Sequence, residues 1–131
     1  MGISITAFAE ARTGKKGRPY RYIDELDAER NYFMFTAMGY ELADFKPLYE
    51  AKGLPGDVTK IVYLEYKKYD CFHTPSWLTA QELMDCITFC ESLLDDDESD
   101  LDLFDSYRKI YEMLKEYDDR GESSRIVFWF D

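Results

Sequence analysis

The stretch Arg125-Ile126-Val127-Phe128-Trp129-Phe130, RIVFWF, decides the fold. Its β-branched and aromatic density, with one charge at its start, reads as a buried strand. A buried strand needs neighbours, and the N-terminus supplies them. Ile3, Ile5, Ala7 and Ala9 alternate with mostly more polar residues, the period of a half-buried strand. Thr13-Gly14-Lys15-Lys16-Gly17 is a turn before Pro19-Tyr20-Arg21-Tyr22-Ile23, so a hairpin is expected there.

Between these ends the period changes to that of helices. Residues 29–39 place Tyr32, Phe35, Thr36 and Met38 near helical spacing and stop at Gly39. Asp57 is expected to cap a helix running to about Tyr69, with Ile61, Leu64 and Lys68 on one face. Thr79-Ala80-Gln81-Glu82 has the spacing of a capping box, flanked by Leu78 and Leu83 as a hydrophobic staple. Leu83, Ile87, Cys90 and Leu94 then recur at helical intervals. Leu103, Tyr107, Ile110, Leu114 and Tyr117 predict a last helix with Ser99 or Asp100 as its cap. The stretch 71–79, CFHTPSWLT, reads as a connection: Pro75 disfavours helix at Thr74, His73 satisfies backbone groups, and Trp77 with Leu78 anchors it to the core. The expected fold class is α+β, a single domain over residues 1–131. A small antiparallel sheet of the N-terminal hairpin and C-terminal strand packs against three or four helices.

Composition narrows the function classes. With 46% hydrophobic and 17% aromatic residues the chain has more core material than a disordered one. MGISITAFAE lacks the basic start and long apolar run of a secretory signal, and no apolar segment approaches the roughly 20 residues that cross a bilayer. The cytoplasm is the expected compartment, and the three cysteines fit reduced thiols. Net charge is −11, and its excess is local: residues 69–107 hold eleven acids and no Lys or Arg, while the remainder balances. Arg12, Lys15, Lys16, Arg18 and Arg21 crowd the first hairpin. Such a field repels nucleic-acid phosphates on its acidic side and attracts basic protein surfaces.

Met1-Gly2-x-x-Ile5 leading to Glu10, Arg30-Asn31-Tyr32-x-x-Phe35, Gly53-Leu54-Pro55-x-Asp57-Val58, Ser76-Trp77-Leu78-Thr79 and Arg125-Ile126-Val127-Phe128-Trp129-Phe130-Asp131 follow one another along the chain. In that order they resemble a family of short, mostly uncharacterised phage and prophage proteins. Those open Met-Gly-Cys-Asp-Ile-His, carry Arg-Asn-Tyr-x-x-Phe, Gly-Leu-Pro-x-Asp-Val and His-Ser-His-Ser-Trp-Leu-Thr, and close on Val-Phe-Trp-Phe-Asp. The resemblance implies a phage origin and an infected bacterial host cell. Ile3, Ser4 and Thr6 stand where the family pattern has Cys, Asp and His; His73 is retained, and Pro75 replaces the second His. If relatives use those groups as metal ligands or acid/base catalysts, most of the set is missing here.

Cys71-x-His73 with Cys86-x₃-Cys90 offers ligand types that zinc accepts, but Cys90 sits on an apolar stripe and the spacing lacks a tight Cys-x₂-Cys turn. Core thiols are expected, with no metal or cofactor. The run from Asp95 fails as an EF-hand, because its sixth position is Asp100 and its twelfth Ser106. Thr13 to Arg18 could cradle an anion but joins strands instead of opening a helix. The leading expectation is a non-enzymatic, phage-encoded protein that occupies a basic surface on a host nucleic-acid-binding defence protein, as an anti-CRISPR inhibitor does. Glu91, Asp95, Asp96, Asp97, Glu98, Asp100 and Asp102 are its expected contacts, with no direct binding of nucleic acid or membrane. The alternative is a small-molecule or metal site of His73 with Ser4, Thr6, Trp77 and Arg30, which sequesters or hydrolyses a phosphorylated nucleotide or metabolite.

Overall fold

A computed structural model describes residues 2–14, 17–94 and 101–131, with the backbone alone at 101 and 102. The elements in chain order are β1 (Ile5–Thr13), β2 (Arg21–Leu26), α1 (Tyr32–Ala37), α2 (Lys60–Tyr66), β3 (His73–Thr79), α3 (Ala80–Ser92), a 3₁₀ turn (Leu101–Phe104), α4 (Asp105–Asp119) and β4 (Glu122–Phe130). The strands form one sheet in the order β2-β1-β4-β3, antiparallel at every step. The hairpin and the C-terminal strand therefore meet as expected, with β1 and β4 side by side from Ile5↔Phe130 to Thr13↔Glu122.

The fourth strand comes from the stretch read as a connection. Thr74 has a positive φ of 54° and the β3 register shifts between His73 and Ser76. Only Ser76 to Thr79 alternate regularly, a run too short to announce a strand, and Pro75 fits because β3 is an edge strand. Ser76 and Leu78 are buried. Of the pair expected to anchor the stretch, Leu78 enters the core on one face of the sheet, whereas Trp77 packs half-buried on the other face.

One face of the sheet takes α1, α3 and α4. Ala7 and Ala9 on β1 lie beside Phe128 and Ile126 on β4, so small side chains leave room for large ones. Leu83, Ile87 and Cys90 of α3 and Tyr107, Ile110 and Leu114 of α4 pack there, all buried. The capping box forms: Thr79 Oγ1 accepts from the Glu82 amide at 3.2 Å and Glu82 Oε1 accepts from the Thr79 amide at 3.0 Å. Leu78 and Leu83 are both buried, as a staple requires.

The opposite face is also covered, which the half-buried pattern of β1 did not anticipate. Phe8, Val127 and Trp129 pack beneath Val62 and Tyr66, the i,i+4 pair that docks α2. Ile61 and Leu64, the expected apolar face, are instead 53% and 56% exposed, because a seven-residue helix docks through one narrow stripe. Thr59, not Asp57, caps α2, since the Asp57 carboxylate is drawn to Arg125.

Two more helix boundaries move. Asn31 caps α1 by accepting from the Met34 amide at 3.1 Å, so residues 29–31 precede the helix and Tyr32 is exposed. Gly39 still follows its end, at φ 131°. On α4 the helix proper starts at Asp105; Phe104 is buried in place of Leu103, which is 41% exposed. The expected caps Ser99 and Asp100 lie outside the described residues. Among the described residues no helix is long and apolar enough to cross a membrane.

Candidate functional site

Of the acids expected to contact a partner, Asp95, Asp96, Asp97, Glu98 and Asp100 lie outside the described residues, and Asp102 is placed by its backbone in the 3₁₀ turn. Glu91 ends near α4 and pairs with Arg108. The segment free of bases in sequence is therefore not free of them in space. Lys52 reaches Glu82 at 2.8 Å and Lys109 approaches Asp105 at 3.6 Å. Tyr49 donates to Asp85 at 2.7 Å, and that bond pushes the phenol up to about 12.

What the fold removes from that segment it restores from another. The chain leaving β2 lies along the start of α4: the Glu29 amide donates to Ser106 Oγ at 3.1 Å, the Tyr107 hydroxyl donates to the Glu29 carbonyl at 2.7 Å, and Asn31 Nδ2 donates to the Leu103 carbonyl at 3.0 Å. A groove of about 310 Å³ follows this seam, with Glu25, Asp27, Glu29 and Asp105 on its walls and Lys109 as the one base among the described residues that line it. Asp24 adjoins it in a second concavity with Glu25 and Asp27. All five acids are exposed, and among the described residues Asp24, Glu25, Asp27 and Glu29 have no ion pair. These four escaped sequence reading because the composition outside residues 69–107 balances overall; the signal was the run Asp24-Glu25-Leu26-Asp27-Ala28-Glu29 itself.

A second charged cluster, also missed, lies on the α2 face of the sheet. Glu10 and Arg125 are cross-strand partners on β1 and β4, 0% and 3% exposed, with Arg125 Nη2 2.6 Å from Glu10 Oε1 and Nε donating to it at 2.8 Å. Arg125 Nη1 donates to Asp57 Oδ1 at 2.8 Å, and Glu10 Oε2 accepts from the Thr59 amide at 2.8 Å. Tyr20 stacks on the guanidinium with its ring centroid 3.5 Å away. Burial pushes the Asp57 carboxyl up, but the Arg125 bond and charge outweigh it and hold the group below the usual carboxylate range. Every charge here meets a partner, so the cluster ties the α2 approach to the sheet.

The motifs that carry the family resemblance converge in two places. Glu10, Asp57 and Arg125 share the ion cluster, and the Trp77 ring lies 5.8 Å from the Arg125 guanidinium. At the far end Arg30 lies across Gly2, where any side chain would collide with it, and Arg30 Nη2 donates to Ser4 Oγ at 3.5 Å. Of the alternative site, then, Arg30 and Ser4 meet. His73 turns to the Tyr40 ring, edge-on at 5.0 Å, and to Thr74 Oγ1 at 2.9 Å; Thr6 pairs with Trp129 in the ladder; Trp77 lies on the α2 face.

The cysteine set is likewise divided. Cys71 is exposed, whereas Cys86 and Cys90 are buried on α3 among core side chains. Burial pushes both thiols up, Cys90 to about 12, so neither is a thiolate at neutral pH. Among the described residues no three His, Cys, Asp or Glu are grouped to hold a metal ion. Comparison with known proteins gave no match to a family model, to a curated protein or to a solved structure.

Proposed function

We propose that the protein is a phage-encoded, non-enzymatic inhibitor that binds a basic, nucleic-acid-binding surface on a host defence protein and blocks it, in the manner of an anti-CRISPR protein. The observation that carries this reading is the seam between β2 and α4, where the exposed Glu25, Asp27 and Glu29, without an ion pair among the described residues, line a groove together with Asp105. Carboxylates held several residues apart on a folded surface offer a basic groove what phosphates offer it, and long-range attraction speeds the encounter. The buried thiols and the dispersed Ser4, Thr6, His73 and Trp77 support binding over catalysis. The phage origin rests on the motif resemblance.

Capture from bacterial lysate tests this. The wild-type chain should retain a nucleic-acid-binding protein that duplex DNA or RNA displaces, and Asp24→Lys/Asp27→Lys/Glu29→Lys should lose it. Retained partners that nucleic acid does not displace would argue against the reading.

A further inference from the structure

The same seam carries a second groove beside the acidic one. Arg30, Asn31, Tyr32, Phe33 and Leu103 line a depression of about 340 Å³ at the end of the seam where residues 30–33 meet the 3₁₀ turn. Tyr32, Phe33 and Leu103 are each over 40% exposed, although nearby core positions are filled by Phe35 and Phe104. Its floor is held in place: Asn31 spends its amide on the Leu103 carbonyl and its carbonyl oxygen on the Met34 amide, and the Tyr32 hydroxyl accepts from the Ile3 amide at 3.3 Å. The apolar groove is thus preformed, and its neighbours along the seam are Glu29, Asp27, Glu25 and Asp105.

We infer that this groove is the apolar centre of the interface, and that it receives a leucine, methionine or aromatic side chain projecting between lysines and arginines of a basic partner helix. The inference rests on the proposed function and adds the partner's shape to it. Charge complementarity selects the occupant: Arg30 on the groove's own wall is turned to Ser4, and the four acids of the adjoining groove, against Lys109, favour cations around the inserted side chain. An apolar pocket with aromatic walls and a charged rim has the anatomy of an interface centre, where a few residues carry most of the affinity. A basic amphipathic helix is the common element that presents such a side chain among cations.

Two synthetic helical peptides of equal length and charge separate the terms, one of lysine and leucine with the leucines on one face, the other of lysine and glutamine. Binding of both is followed by fluorescence anisotropy at two salt concentrations. The wild-type protein should bind the lysine–leucine peptide about tenfold more tightly, and Phe33→Ser with Leu103→Ser should erase that preference while leaving lysine–glutamine binding unchanged. Equal binding of the two peptides, or a preference that survives both substitutions, would overturn the inference. So would a dimer in sedimentation that dissolves on Phe33→Ser, which would make the groove a contact between copies. Failure of the underlying acidic-face reading looks different: neither peptide would bind in a salt-dependent way.

Discussion

The two charged clusters of this protein lie on the same sheet framework and behave oppositely. Around Arg125 the charges are opposite in sign and mutually bonded, with Glu10 buried beside it, Asp57 reaching it from the exposed edge and Tyr20 closing over it. Along the seam they are exposed and mostly of one sign, and Asp24, Glu25, Asp27 and Glu29 have no ion pair among the described residues. Charges that complete one another hold a fold together and have nothing left for another molecule. Charges that do not are a cost of folding, through self-repulsion, that dissolved ions screen and a cationic surface would relieve further.

The sharpest break of that contrast is at Glu10. Arg125→Ala strips buried Glu10 of its charge partner and Glu10→Ala leaves buried Arg125 with the exposed Asp57 alone, so each should cost about 3–5 kcal/mol, read as a fall in the urea midpoint, while Asp27→Lys should stay within about 0.5 kcal/mol. The double replacement Glu10→Leu/Arg125→Met should recover much of the loss, because it removes the pair instead of orphaning half of it.

A smaller effect is expected where the seam is stitched. Tyr107→Phe deletes the hydroxyl that donates to the Glu29 carbonyl, and burial has already pushed that phenol up so that it stays a donor. The loss should be about 1 kcal/mol in thermal unfolding. Peptide binding should weaken with it, since the acidic strand then loses one of its bonds to α4.

The smallest effect separates Asp57 from Glu10. The folded Asp57 carboxyl lies below its ordinary value of 3.8, so it contributes stability above that pH, and the contribution is lost as pH falls through the lowered folded value. Wild type and Asp57→Asn should differ by a constant amount above about pH 5, begin to converge at about pH 4 and meet only below the lowered folded value in thermal melts. The side chain is 55% exposed, so salt should shrink the difference. Convergence at neutral pH instead would show that Asp57 owes nothing to Arg125.

These contrasts also explain what sequence alone revealed. RIVFWF, the β1–β2 hairpin and Thr79-x-x-Glu82 are local signals, and the structure contains the buried strand, the antiparallel β1–β2 pairing and the capping box as expected, while Lys15 and Lys16 of the turn lie outside the described residues. The helical stripes of α3 and α4 were legible for the same reason, except at Leu103, where the chain turns before the helix starts. β3 was hidden because Thr74 and Pro75 interrupt its period, and the docking stripe of α2 because Val62 and Tyr66 are too few to outvote Ile61 and Leu64. Both charged clusters depend on register: Glu10 meets Arg125 across 115 positions, and Glu29 meets Ser106 across 77. No window of sequence contains either pair. Of the acids chosen from sequence, Glu91 turned out to be paired, while the seam acids came from a run hidden by overall balance.

The central claim is that the seam acids act outward and not on the fold. It is tested most directly by titrating the lysine–glutamine peptide into wild type and Asp24→Lys/Asp27→Lys/Glu29→Lys at about 0.05 M and about 0.3 M salt, with a thermal melt of each protein. The account predicts wild-type binding that weakens with salt, and a triple variant that melts no lower yet binds weakly at both concentrations. Equal affinity and equal salt dependence in the two proteins, or a triple variant that has lost stability rather than binding, would contradict it.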